Sequence, residues 1–114
     1  MGPLQGIKIV EFSGIGPGPY CGMLLADLGA DVIRISRQET EGIENKFDIH
    51  NRSKRTITAD LKNRESVKEL LNLIGQVDVV FEGFRPGVME KLGLGPDECL
   101  KVNPKLVYGR MTGW

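Results

Sequence analysis

The stretch IKIVEFSGIGPGPYCGMLLADLGADVIRI, residues 7–35, decides the fold. It opens with a short run of β-forming residues, Ile7 to Phe12, and continues through a cluster of glycines and prolines that breaks the strand. Tyr20 to Leu28 is helical in composition, and Gly29 stands where a helix favours a left-handed residue at its end. Asp31 to Ile35 then forms a second strand. The order strand, glycine-rich turn, helix, strand predicts a βαβ unit with parallel strands.

The rest of the chain repeats this alternation. Apolar residues at positions 67, 70, 71 and 74 predict a helix that Asn63 can cap and Gly75 ends. In the first helix the expected apolar stripe is Met23, Leu24 and Leu28. The other predicted elements are strands Thr56–Ala59, Val77–Glu82 and Leu106–Met111, a helical turn Val88–Leu92, and a helix from Pro96 to about Val102. The pattern predicts an α/β fold, with a Rossmann-like, mostly parallel sheet and flanking helices, as one domain over residues 1–114.

Composition excludes several classes of protein. Of the 114 residues 40% are hydrophobic and 26% are charged, which is ordinary for a globular domain. Fifteen basic and fifteen acidic residues cancel, which argues against a nucleic-acid-binding protein. No apolar run approaches the length of a membrane span, and the N-terminus has no signal-peptide layout. Cys21 and Cys99 have no metal-ligand spacing and are expected to be free thiols.

Four segments follow strands, and ligands of open α/β sheets bind beyond the carboxyl ends of the strands. The first is the glycine-rich turn at positions 14–19, which departs from the dinucleotide pattern GxGxxG because Pro19 replaces its third glycine. The second is Arg37, where a dinucleotide-binding unit would carry an acidic residue. The third is Ala59-Asp60-Leu61-Lys62, and the fourth is Gly83-Phe84-Arg85, with Lys91 further along the chain.

Each of these segments also has a plainer interpretation. Positions 14–19 could be a tight turn, Arg37 a solvated side chain, Asp60 and Lys62 a surface ion pair, and Phe84 a residue that caps the core. The basic run Arg52, Lys54 and Arg55 is expected to be solvated loop. Taken together, however, cations follow successive strands of one sheet, and a polyanionic nucleotide such as coenzyme A (CoA) would require such an arrangement.

The sequence contains no convincing catalytic set. His50 lies in a long segment without periodicity and is interpreted as a non-catalytic loop residue. Ser13 lacks the context of a nucleophile elbow, and Cys21 falls within the first helix, where a core position is expected. A single histidine and two isolated cysteines offer no metal site. We therefore assign no catalytic residue and no metal ligand.

The blocks PLQGIKIVEFSGIGPGPYCGMLLADLGADVIRI, RSKRTITADLK, FEGFRPGVMEKLGLGP and NPKLVYGRMTGW resemble, in order and spacing, the opening of α-methylacyl-CoA racemases. These enzymes belong to the family III CoA-transferase (CaiB/BaiF) superfamily. The resemblance covers nearly the whole chain and is weakest over positions 38–51. It implies an enzyme that interconverts the (R) and (S) epimers of 2-methylacyl-CoA thioesters by removing and returning the α-proton.

The resemblance also implies a set of CoA-binding positions. Arg37 matches a position that contacts the adenosine of CoA, and Ile15 matches one near the thioester. The remaining implied contacts are Ala59, Asp60, Leu61, Lys62, Gly83, Phe84, Arg85 and Lys91. No prosthetic group is implied, since the CoA moiety belongs to the acyl-CoA substrate. Relatives form intertwined homodimers, without a nucleic-acid or membrane partner.

The family's catalytic histidine and aspartate lie beyond the part of the sequence that corresponds to this chain. We therefore expect residues 1–114 to be the CoA-binding portion of a longer enzyme and to be inactive alone. Two alternatives stay open: a CoA-transferase that moves CoA between carboxylic acids, and a non-catalytic module that binds CoA or pairs with full-length subunits. The expected compartment is the cytoplasm for a bacterial source, and the peroxisome or mitochondrion for a eukaryotic one.

Overall fold

A computed structural model of the chain describes residues 2–12, 17–36 and 54–111. Within these ranges the strands and helices occur in the predicted order. The strands are β1 (Lys8–Phe12), β2 (Asp31–Ser36), β3 (Arg55–Thr58), β4 (Val79–Glu82) and β5 (Val107–Arg110), and the helices are α1 (Pro17–Asp27), α2 (Arg64–Ile74), α3 (Val88–Leu92) and α4 (Pro96–Val102).

The five strands form one parallel sheet in the order β3-β2-β1-β4-β5. The strands β2 and β3 therefore lie on one side of β1, and β4 and β5 lie on its other side. Phe12 and Glu82 are register partners at the carboxyl ends of these two central strands. This is the point at which the strand order reverses, and open α/β sheets bind ligands at such a point. The predicted Rossmann-like fold is confirmed.

Helices cover the sheet on both faces. On one face α1 packs through Cys21, Leu25 and Ala26 against Ile9, Val32 and Phe81. On the other face α2, α3 and α4 pack against a larger core, whose fully buried members include Phe12, Val10, Val80, Ile74, Met89, Leu94 and Cys99. Alternate residues of the central strands serve opposite faces, as strand geometry requires.

The start of α2 follows the sequence prediction. Asn63 Oδ1 accepts hydrogen bonds from the backbone N–H groups of Glu65 at 2.8 Å and Ser66 at 3.3 Å. These bonds satisfy two of the donors that a helix leaves unpaired at its first turn. The helix ends at Ile74, directly before Gly75. Gly29 has the predicted left-handed backbone, with a φ of 104°.

The predictions for α1 were partly wrong. The helix begins at Pro17 rather than near Tyr20, because proline is compatible with the first turn, where a backbone N–H has no intrahelical partner. Leu24 and Leu28 were expected to face the core, but they are 44% and 45% exposed. The face formed by Cys21, Leu25 and Ala26 packs on the sheet instead.

A buried ion pair lies between α1 and the sheet. Lys54 Nζ stands 2.7 Å from Glu11 Oε1, and both side chains are fully buried. A Cβ atom added at Gly22 of α1 would overlap the Glu11 carboxylate and stand 2.8 Å from Lys54 Nζ. Glycine at this position therefore lets the helix approach the pair.

The burial of Lys54 corrects the interpretation of the basic run as solvated loop. Lys54 pairs with Glu11, and Arg55, although exposed, binds both carboxylate oxygens of Asp31, at 3.2 and 2.6 Å. Both cations already have carboxylate partners, so neither is a candidate for a ligand. Arg52, the third member of the run, lies outside the described residues.

Candidate functional site

A groove of about 540 Å³ lies between the first two turns of α2 and the end of α3. Both helices follow strands, so the groove opens at the carboxyl edge of the sheet. Four of its lining residues are cations and the other four are apolar or glycine. The lining residues are Leu61, Lys62, Arg64, Val67, Lys68, Lys91, Leu92 and Gly93.

The floor of the groove is apolar. Leu61 is buried in the larger core, and Val67 and Leu92 pack against the same core. A flat aromatic base could therefore lie on this floor while its phosphates meet the surrounding cations. Binding sites commonly combine apolar walls with a few charged groups in this way.

The four cations of the groove have no counter-charge among the residues that the structure describes. Among the described lining residues none is acidic, and none of Lys62, Arg64, Lys68 and Lys91 forms an ion pair with any residue that the structure describes. Cations without partners around one concave surface create a positive potential that attracts an anion. The groove can therefore bind a ligand with several negative charges.

The turn before α2 holds the backbone of Lys62. Asp60 Oδ1 accepts a hydrogen bond from the Lys62 N–H at 3.1 Å, and the Asp60 carbonyl accepts one from the Asn63 N–H at 3.1 Å. The Asp60 carboxylate thus binds the main chain of Lys62, and the surface ion pair considered from the sequence does not form. Ala59 donates its N–H to the carbonyl of Ser36 at 2.9 Å, which anchors this turn to the end of β2.

The second predicted segment, Gly83 to Arg85, lies in the turn after β4 and outside the lining of the groove. Phe84 packs against the larger core, as the plainer interpretation has it. Its N–H donates a hydrogen bond to Glu82 Oε1 at 3.0 Å. Gly83 donates its N–H to the carbonyl of Phe12 at 3.0 Å, so the turn is tied to both central strands. Arg85 is exposed.

A salt-bridge network connects this turn to α3. Arg110 Nε donates to Glu82 Oε2 at 2.7 Å, and the two terminal nitrogens of its guanidinium donate to the two carboxylate oxygens of Glu90, each at 2.7 Å. The guanidinium carbon also stands 5.7 Å from the centre of the Tyr108 ring. These charge-assisted bonds hold the pKa of Glu90 at about 2 and raise the pKa of Arg110. The network thus links β4 and β5 to the helix that carries Lys91.

Both cysteines are free thiols, as the sequence predicted, and Cys21 packs on the core side of α1. Cys99 is buried in the larger core, and desolvation raises its pKa to about 11. Cys21 packs partly against the α1-side core, and desolvation, followed by the negative charge of Glu11, raises its pKa as well. A raised pKa disfavours the thiolate, so neither residue has the properties of a nucleophile.

The structure therefore brings together Leu61, Lys62 and Lys91 from the predicted set. Ala59 and Asp60 lie in the turn that leads to the groove, and Gly83, Phe84 and Arg85 lie in the neighbouring turn after β4. Ile15, Arg37 and His50 lie outside the described residues, so their predicted roles stay predictions.

Sequence reasoning missed Arg64 and Lys68. Both belong to a helix whose apolar periodicity drew attention to its core-facing side. One signal was available: Arg64 is the first residue of the helix, where the positive end of the dipole disfavours a cation. Lys68 follows one turn later, and helix stability does not explain two like charges at this spacing.

Fold and groove together define a Rossmann-like α/β domain with a cationic site at the carboxyl edge of its sheet. The sequence profile of CoA-transferase family III matches residues 4–114. The chain belongs to this family.

Two sequence relatives and a solved structure illustrate the relationship. The chain is 47% identical to the alpha-methylacyl-CoA racemase of Mus musculus over 111 residues, which cover 97% of this chain and 28% of the mouse protein. It is 39% identical over 125 residues to the probable fatty acyl-CoA transferase Rv3272 of Mycobacterium tuberculosis, covering 98% of this chain and 32% of that protein. A crystal structure of Rv3272 matches with a TM-score of 0.91 at 38% identity, over 100% of this chain and 34% of that one. The chain thus spans about a third or less of the length of these relatives.

Two further properties concern possible partners. Within the ranges that the structure describes, no helix is both long and apolar enough to cross a membrane. The same ranges contain no group of three or more His, Cys, Asp or Glu side chains that could hold a metal ion.

Proposed function

We propose that this chain is the CoA-binding portion of an α-methylacyl-CoA racemase. The observation that carries the proposal is the groove with four cations that have no partner among the described residues. The identity of 47% to a racemase supports this activity over others in the family.

CoA suits the charge and shape of the groove. Its 3′-phosphate carries about two negative charges near neutral pH, and its diphosphate adds further negative charge. Ammonium and guanidinium groups bind phosphate oxygens through short, charge-assisted hydrogen bonds. Leu61, Val67 and Leu92 offer an apolar surface for the adenine.

The reaction that we propose needs a CoA thioester, which acidifies the α-proton of its acyl group. One group removes this proton, and another returns it to the opposite face of the enolate. The described residues supply binding and orientation of the thioester, whereas the acid–base pair comes from parts of the enzyme beyond this chain. The 114 residues alone are therefore expected to bind CoA without catalysing proton exchange.

The binding proposal can be tested by calorimetric titration of CoA into the 114-residue chain. The double variant Lys62→Gln, Lys91→Gln should bind at least roughly 10-fold more weakly, because charged hydrogen bonds to phosphate are lost. Lys105→Gln is the matched control, since Lys105 precedes β5 at the opposite edge of the sheet. Equal affinities for the double variant and the control would refute the proposal.

A second candidate function is CoA transfer between carboxylic acids, which the identity of 39% to the probable fatty acyl-CoA transferase favours. An experiment on a full-length enzyme that contains this chain distinguishes the two activities. The enzyme would be incubated with a 2-methylacyl-CoA in D₂O, with and without a carboxylic acid acceptor. A racemase replaces the α-hydrogen by deuterium and keeps the thioester, whereas a transferase moves CoA to the acceptor. Acceptor-dependent transfer without deuterium incorporation would contradict the racemase proposal.

We further propose that the longer enzyme is a homodimer. Tyr20 and Leu24 on α1 and Leu28 directly after it form an exposed apolar stripe, at a spacing of four residues. Light scattering on the longer enzyme tests this proposal, and a monomeric mass would refute it. The same measurement on the 114-residue chain shows whether these residues pair through their own surfaces. A dimeric mass for this chain would support the alternative of a self-associating module.

A further inference from the structure

Two of the four groove cations are assigned by neither the sequence prediction nor the family resemblance. Arg64 is the first residue of α2, and Lys68 lies one turn later. Residues four apart on a helix lie on the same face, with about 5–6 Å between their Cβ atoms. Both side chains line the groove from that face.

Neither cation is explained by the stability of α2. The positive end of the helix dipole opposes Arg64 in the first turn, and the like charges of Arg64 and Lys68 at a spacing of four residues oppose each other. Glu65 lies three residues before Lys68, yet no ion pair between the two occurs in the described structure. By contrast, Lys101 does pair with Glu98 at the same spacing in α4, at 3.6 Å. Arg64 and Lys68 are therefore available to an anion.

Side chains supply most of the groups that can recognise an anion here. The N–H groups of Glu65 and Ser66, which helices often offer to phosphates, already donate to Asn63 Oδ1. An anion at this end of α2 therefore depends on the guanidinium of Arg64 and the ammonium of Lys68. A guanidinium can bind two phosphate oxygens at once.

The four cations form two pairs, and CoA carries its phosphates in two groups, the diphosphate and the 3′-phosphate. Lys62 and Lys91 come from two different segments of the chain and suit the diphosphate, which extends over two phosphorus atoms. Arg64 and Lys68 are neighbours on one helix face and suit a single compact dianion. The terminal phosphate monoester of CoA is such a group.

We propose that Arg64 and Lys68 bind the 3′-phosphate of the CoA ribose and make the site select CoA over 3′-dephospho-CoA. This inference rests on the proposed function, since it assigns one phosphate of the same ligand. The inference predicts that the site binds CoA more tightly than 3′-dephospho-CoA, whereas a nucleotide site without these two cations would bind both equally.

The experiment is a calorimetric titration of CoA and of 3′-dephospho-CoA into three proteins: the unmodified chain, the double variant Arg64→Gln, Lys68→Gln, and the control Lys105→Gln. Both substituted side chains are exposed, so the variants should fold, and circular dichroism verifies this. The unmodified chain and the control should prefer CoA by roughly 10- to 100-fold, because charge-assisted hydrogen bonds to the 3′-phosphate are lost with dephospho-CoA. In the double variant the affinity for CoA should fall to that for dephospho-CoA, and the affinity for dephospho-CoA should hardly change.

The outcomes separate this inference from the function on which it rests. Equal affinities of the unmodified chain for both ligands would overturn the inference and leave CoA binding intact. An equal loss of affinity for both ligands in the double variant would assign the pair to another phosphate and also overturn it. If the double variant still preferred CoA over dephospho-CoA, the inference would also be overturned. Binding of neither ligand by the unmodified chain would refute the proposed function and, with it, this inference.

Discussion

The buried pair of Lys54 and Glu11 makes the stability of this domain depend on one lysine. Both side chains are fully buried and their charged atoms stand 2.7 Å apart. Lys54→Met keeps most of the apolar stem, so little cavity is created, but it removes the positive charge. Breaking a buried ion pair from one side costs about 3–5 kcal/mol, because the other charge is left without its partner.

We expect the lower end of this range, because Arg34 is buried and is the register partner of Glu11 on β2. Its positive charge offsets part of the loss. A loss of about 3 kcal/mol, with an m value of about 1.5 kcal/mol/M, lowers the midpoint of urea unfolding by about 2 M. Since small domains have only about 5–15 kcal/mol of stability, the effect should be large.

The assay is urea unfolding followed by circular dichroism, with Lys101→Met as the matched control. Lys101 also pairs with a glutamate, but its side chain is 73% exposed, and exposed pairs contribute about 0–1 kcal/mol. Adding Glu11→Gln to Lys54→Met should restore part of the loss, because the unpaired negative charge is then absent. The reasoning is refuted if Lys54→Met lowers the midpoint no more than Lys101→Met does.

Three further predictions concern packing, pH and thiol reactivity. Gly22→Ala should destabilise the domain by about 1–3 kcal/mol, because the added methyl overlaps the buried pair. Gly75→Ala should be nearly neutral, since the atom nearest to its added methyl is the Asn72 carbonyl oxygen at 3.4 Å. Equal urea midpoints for the two variants would contradict this prediction. Glu90→Gln should be less stable than the unmodified chain at pH 7, because the bonds from Arg110 lower the pKa of Glu90 from 4.5 to about 2. The difference in stability should shrink as the pH falls below 4.5 toward 2, since the contribution of these bonds is lost when Glu90 takes up a proton. Urea midpoints between pH 7 and pH 3 measure this difference, and a constant difference would count against the prediction. Cys99, buried and with a pKa of about 11, should react with a disulfide reagent at pH 8 only after unfolding, and rapid labelling of the folded chain would show that the core is open there.

Local signals were sufficient for most elements. The cap at Asn63, the periodicity of α2 and the left-handed Gly29 depend on neighbours within one or two turns, so the sequence contains the information that they need. The strand-end rule likewise predicted that Lys62 and Lys91 lie at one edge of the sheet, because this follows from the order of elements, and both residues line the groove. Their contact with CoA stays a prediction.

Predictions that depended on which side of an element faces the core were less successful. Five of the six residues from Met23 to Leu28, in α1 and directly after it, are apolar, so no stripe stands out. The crossover from β1 to β2 decides which side meets the sheet, and it buries Leu25 while exposing Leu24 and Leu28. Arg64 and Lys68 were overlooked for a related reason, since their importance depends on the proximity of α3, which is distant in sequence.

By itself the sequence determined the alternation of strands and helices, the ends of α2 and the family to which the chain belongs, because each follows from short-range patterns or from ordered motifs. Only the tertiary structure decided that Lys54 is buried with Glu11 while Lys62, Arg64, Lys68 and Lys91 meet without partners among the described residues around one groove. The charge of a lysine is the same in both settings. Its role depends on which distant segments the sheet order β3-β2-β1-β4-β5 brings beside it.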